Sequence, residues 1–127
     1  MKYILTLPLL AIFLSATAQS APDNPEYRSA VEIALGELQK GQCKPCLEAY
    51  ERAFSISQHS TLSYLRAARC AQMCHDATKA KAFANKAVEI SAVIATDILQ
   101  NNRDYPELAL LQNSELGKKI LKKKPKR

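Results

Sequence analysis

The chain has 127 residues and a formal net charge of +6, a length that allows one small domain. The positive charge is local: Lys118, Lys119, Lys122, Lys123, Lys124, Lys126 and Arg127 supply seven positives at the C-terminal end, while residues 19–117 carry ten Lys/Arg against twelve Asp/Glu, a net of −2. This is a nearly neutral body with a basic end; such an end can touch anionic lipid, nucleic acid or an acidic protein or stay solvated, and the export expected below argues against nucleic acid.

The N-terminus reads as an export signal. Met1 and Lys2 give a short positive region, and residues 3–14 are apolar apart from Thr6 and Pro8. Ser15-Ala16-Thr17-Ala18 then offers an A-x-A cleavage pattern, which places the signal at 1–18 and the mature start at Gln19. The apolar run falls short of the roughly 20 residues a membrane-spanning helix needs. No cysteine follows it to carry a lipid, and no later segment is long and apolar enough to span. The expected location is periplasmic or secreted, an oxidising compartment. Residues 19–25 are small, polar and Pro-containing, and read as a linker.

Four helices are predicted from there. Val31, Ile33-Ala34-Leu35 and Leu38 form a helical stripe, with Gly41 as its stop. Pro45 suits the first turn of a second helix, carried by Leu47, Ala49-Tyr50, Ala53-Phe54 and Ile56. Ser57-Gln58-His59-Ser60 breaks it. Leu62, Leu65, Ala67-Ala68, Ala71 and Met73 mark a third helix ending near His75. Asp76 or Thr78 caps a fourth, through Ala80, Phe83-Ala84, Ala87-Val88 and Ile90. No useful stretch alternates with period two, so the expected class is all-α.

The halves of this region repeat. Sliding the chain along itself until Val31 falls on Leu65 also sets Ile33 on Ala67, Ala34 on Ala68, Ala49 on Phe83, Ala53 on Ala87 and Ile56 on Ile90. The turn Gly41-Gln42 falls on His75-Asp76. An ordinary helical bundle is the other architecture such stripes fit. In the first unit the residues that set the pattern are Ala30, Ile33-Ala34, Glu37, Cys46-x3-Tyr50 and Ala53. In the second they are Tyr64, Ala67-Ala68, Ala71, Ala80-x3-Ala84 and Ala87. This resembles the tetratricopeptide repeat, an antiparallel helix pair whose period matches this shift and which stacks into a right-handed superhelix. The family glycine is alanine in both units, and the closing proline is missing near Gln58 and Ala92. The segment DILQNNRDYPELALLQNSELGKKIL, residues 97–121, resembles the short-helix cap that ends some arrays of this family. Leu99, Asp104, Tyr105-Pro106-Glu107-Leu108, Leu111 and Asn113-Ser114-Glu115-Leu116 stand in the corresponding places. The division expected is a repeat domain over 26–117, its cap from about 95, and a basic tail over 118–127.

Four cysteines, Cys43, Cys46, Cys70 and Cys74, allow three pairings. The resemblance makes the second and third helices antiparallel neighbours. It therefore implies an outer bridge, Cys43 with Cys74, and a nested inner one, Cys46 with Cys70. Other chemistries use the same residues. Cys43-Lys44-Pro45-Cys46 has the C-x-P-C form of thioredoxin-like oxidoreductases, but those place the motif after a strand. Cys70-x3-Cys74-His75 is one residue longer than a c-type haem attachment motif, with His59 or Met73 as a second axial candidate. Four thiolates can hold zinc, although oxidation competes in an exported chain. No other catalytic pattern stands out, so no enzyme activity, cofactor or metal is expected.

The resemblance implies instead a binding module for another protein or peptide. Its concave face carries over onto Arg28, Val31 and Leu35 in the first unit and Leu62, Leu65, Arg66 and Arg69 in the second, with Arg103 closing the row. Arginines there suit an acidic partner.

Overall fold

The computed structural model describes residues 24–101 and 103–123. The signal expected at 1–18, most of the linker and the last four residues of the basic end lie outside them. Helices run α1 Pro25–Lys40, α2 Cys43–Ile56, α3 Thr61–Met73, α4 Ala77–Ile90, α5 Ala92–Gln100, α6 Ala109–Asn113 and α7 Glu115–Lys122, with a 3₁₀ turn at Pro106–Leu108 before α6. No strand occurs among the described residues. The fold is all-α, as the absence of period-two patterning leads one to expect.

Five of the seven helix starts among the described residues are set by a side-chain cap, those of α2 and α6 being the exceptions. Asn24, Ser60, Asp76, Ser91 and Ser114 turn their side chains back to accept a hydrogen bond from the backbone N–H three residues on, at 3.0–3.2 Å. These bonds satisfy donors that a helix leaves orphaned. Asn24 places Pro25 inside α1, so the helix begins within the stretch read as a linker. Ser91 ends α4 and caps α5 at once, and the terminal helical segment therefore starts at Ala92, a little before the expected 95.

Helices α1 and α2 form one antiparallel pair and α3 and α4 another, and the two turns that close them are built alike. Gly41 sits in the left-handed region at φ 76°, and His75, its equivalent in the second pair, does the same at φ 58°. The Gly41 N–H donates to Leu38 O and that of Gln42 to Glu37 O; the His75 N–H donates to Gln72 O and that of Asp76 to Ala71 O. The repeat thus extends to individual hydrogen bonds of a Schellman closure. Glycine adopts that conformation freely, whereas histidine is strained in it.

The core lies where the pairs meet. Ala34, Ala67, Ala68, Ala71, Ala84 and Ala87 are fully buried and let helices approach closely. Phe54 of α2 stacks on Tyr64 of α3 with centroids 3.9 Å apart, and Phe83 of α4 tilts against both. Ile33, in the expected stripe, is 51% exposed, whereas its register mate Ala67 is fully buried. The cause is position: α3 packs against both α1 and α5, while α1 has no described helix before it.

The chain then folds back over α3. Leu108 and Leu111 are buried, and α7 packs against α4, α5 and α6. Gly117 makes that return possible, because a Cβ there would lie 2.0 Å from Leu111 O and 2.8 Å from Gln112 Cα. Ile120 is buried and Leu121 half-buried, so α7 carries helical structure into the stretch set apart as a basic tail.

Two consequences are measurable by thermal unfolding. Gly117→Ala lowers Tm by several degrees, since the overpacking clash costs about 1–3 kcal/mol, while Gly36→Ala, whose Cβ meets nothing within 4 Å, raises it. His75→Gly raises stability by about 1 kcal/mol, because glycine removes the left-handed strain.

Candidate interaction surface

The four sulfurs come together at one end of the α2–α3 seam. Antiparallel packing sets the start of α2 beside the end of α3. Cys43 and Cys74 are bonded with Cα atoms 5.2 Å apart, and Cys46 and Cys70 with Cα atoms 5.9 Å apart. These are the outer and inner bridges that the repeat register implies. Both separations lie in the ordinary disulfide range. Cys46 and Cys70 are fully buried, so no attacking thiolate reaches the inner bridge without local unfolding. A structural staple matches this burial, and the C-x-P-C motif opens a helix that follows a turn rather than a strand. With no free cysteine among the described residues, neither thiolate ligation of zinc nor thioether attachment of haem has a sulfur to use in this oxidised form.

The two histidines stand apart. His59 lies before α3, bonded to Ser57 Oγ, its ring 4.9 Å from that of Tyr27. His75 lies beyond the other end of α3, a helix about 20 Å long at 1.5 Å per residue. The candidate axial pair is therefore not assembled. Met73 packs against the core from the last turn of α3.

The expected concave row is only partly open. Arg28 on α1 is exposed, and Val31 and Leu35 on the same helix are half-buried. On α3, Leu65 is fully buried and cannot meet a partner, which corrects its assignment to an open groove. Leu62 is half-buried and packs against the core. Arg66 is engaged within the chain: its Nε donates to Glu107 Oε2 at 2.7 Å, with side-chain exposures of 19% and 9%. Its guanidinium also lies 6.0 Å from the Tyr105 ring centroid. Gln72 Nε2 donates to Ser114 Oγ at 3.0 Å, further along the same helix. The segment 105–114 thus covers the face of α3 that the resemblance leaves for a peptide. Arg103 is exposed, in the turn that Asn101 and Asp104 close by mutual hydrogen bonds.

Arg69 remains available. It donates to Gln72 Oε1 at 3.1 Å and has no carboxylate partner among the described residues. Burial lowers its pKa, the mark of a charge losing water without gaining an anion. It lines two clefts on either side of Leu110. One, of ≈ 510 Å³, runs past Leu38, Met73 and Pro106; the other, of ≈ 630 Å³, runs past His75, Lys81 and Lys119. The Tyr50 hydroxyl is buried with no hydrogen-bond partner among the described residues, and burial pushes its pKa up against the opposing pull of Arg66.

The staples can be weighed one at a time. The outer bridge closes a loop of 31 residues, for which chain entropy gives about 3–4 kcal/mol. With one bridge present, the second constrains only the short arcs between them and contributes less. Cys43→Ala/Cys74→Ala and Cys46→Ala/Cys70→Ala each cost about 2 kcal/mol, and removing all four sulfurs costs more than the sum of the two. Urea midpoints of the three variants check this.

No family model, no curated protein and no solved structure matches the chain.

Proposed function

We propose that this chain is an exported, disulfide-stapled module of the tetratricopeptide-repeat type that binds or assembles another protein and catalyses no reaction. The carrying observation is the repetition of one helix-pair unit, down to the turn hydrogen bonds of Gly41-Gln42 and His75-Asp76. Stacked units of this kind present the first helix of each pair along one face, and that face is where such scaffolds bind. Two disulfides need a non-reducing environment to persist. Together with the signal-like residues 1–18 they support a periplasmic or secreted location. Among the described residues no helix is long and apolar enough to cross a membrane.

The contact surface proposed is what the cap leaves uncovered. It comprises Arg28, Val31 and Leu35 on α1 and, next to the cleft at the other end of that helix, Arg69. A guanidinium that is partly desolvated and has no carboxylate partner among the described residues favours an acidic partner segment, which it can grip through two parallel hydrogen bonds. Arg66 no longer belongs to this surface, since pairing with Glu107 holds the cap in place.

The test is a crosslinking pull-down from the native envelope with the wild-type chain and with Arg28→Glu/Arg69→Glu. Both substitutions lie outside the fully buried core, so the variant should keep its unfolding stability within about 1 kcal/mol of the wild type. A partner recovered by the wild type and at least tenfold reduced with the variant is the expected result. Equal recovery by both would remove this face from the proposal.

A further inference from the structure

We propose that the α7 face of the molecule docks on an anionic lipid surface. Helix α7 is anchored by its apolar side: Gly117 and Ile120 are buried, Leu116 and Leu121 half-buried. That anchoring turns Lys118, Lys119, Lys122 and Lys123 outward, and all four are exposed. None of them forms an ion pair among the described residues. The sequence continues with Lys124, Lys126 and Arg127, so residues 118–127 hold seven positives and no acid. The carboxylates that line clefts with this row are Asp76, Glu89 and Glu115, and Asp76 is occupied as the N-cap of α4.

Three features favour a lipid surface over a soluble acidic partner. All four cations on the described α7 face are lysine. Lysine is a point charge that suits many mobile phosphates, whereas recognition of fixed carboxylates favours the forked guanidinium of arginine. The lysine row also borders apolar surface. Lys81, Leu116 and Lys119 are shared by two adjoining clefts, one leading to Leu110, which is 63% exposed, and the other, of ≈ 740 Å³, floored by Val88 and Ile120. An exposed leucine beside a polybasic row offers the second, apolar contact that interfacial binding needs. Finally, residues 19–117 carry a net −2. The chain's excess positive charge therefore lies at this end, which a negative surface attracts most strongly.

The experiment is co-sedimentation of the oxidised protein with vesicles of phosphatidylcholine containing phosphatidylglycerol, and with vesicles of phosphatidylcholine alone. The expected result is binding to the anionic vesicles only, declining as salt shortens the electrostatic range. Each lysine near such a surface changes the partition by about fivefold. Lys118→Gln/Lys119→Gln/Lys122→Gln/Lys123→Gln therefore lowers binding at least about 100-fold, with the helical circular dichroism retained. Leu110→Ser lowers it several-fold without changing any charge. Equal sedimentation with neutral vesicles, or none with either, overturns the proposal. Binding to soluble polyglutamate as tight as to vesicles, with Leu110→Ser silent, overturns the lipid assignment in favour of an acidic macromolecule. The wild-type salt titration reads the electrostatic part even if the fourfold variant misfolds: binding indifferent to salt also overturns it.

Discussion

Helices α2 and α3 are locked together at both ends of their seam, and the other contacts follow from that lock. At one end two disulfides join them, and at the other the rings of Phe54 and Tyr64 stack. The contacts step forward along α2 as they step back along α3, which fixes both the direction and the axial register of the two helices. Covalent bonds alone would leave the far ends free to splay, and an aromatic stack alone would allow a slip by one turn. A chain of this size buries little enough apolar surface that such a fixed register matters to whether it folds at all.

With α3 held in register, it becomes the most enclosed element. It meets α2 through the staples, α4 through its small residues, α1 and α5 as flanking helices, and the 3₁₀ turn with α6 on its remaining face. This enclosure explains why Leu65, Ala67 and Ala71 have no contact with solvent. It also explains why the partly buried pair Arg66–Glu107 sits where it does. Removing one partner of a buried pair strands the other charge, so the bond specifies the cap's position more than it adds net stability.

The segment that returns over α3 changes which faces of the helix pairs stay open. In an open array the face of α3 would be available, but here Leu108 and Leu111 fill it from within the same chain. What remains carries two chemistries, an arginine-bearing surface around α1 and Arg69 and a lysine row on α7, which meet in the cleft beside Leu110 that Arg69 and Lys119 both line. The two differ in chemistry, with forked guanidinium groups on one and point charges on the other, and the proposals for partner and lipid follow that difference.

Much of the fold was legible in the residues. The repeat register placed the helix pairs, Asp76 was readable as a helix cap, and the cysteine positions were enough to imply both bridges once the pairs were taken as antiparallel neighbours. These features are local or periodic, and each is decided by side chains within a few turns of one another. The occupancy of the α3 face was not legible. It depends on Arg66 meeting Glu107 across 41 residues and Gln72 meeting Ser114 across 42, encounters that no spacing rule encodes. Nor could the stripe show that Ile33 stays exposed while its counterpart Ala67 is enclosed, because that difference comes from which unit has helices on both sides. Reading the residues was enough for the helices and their repetition and, through the resemblance, for the pairing of the sulfurs. Which faces stay open was settled only by the folded arrangement, because exposure is a property of neighbours brought together from distant parts of the chain.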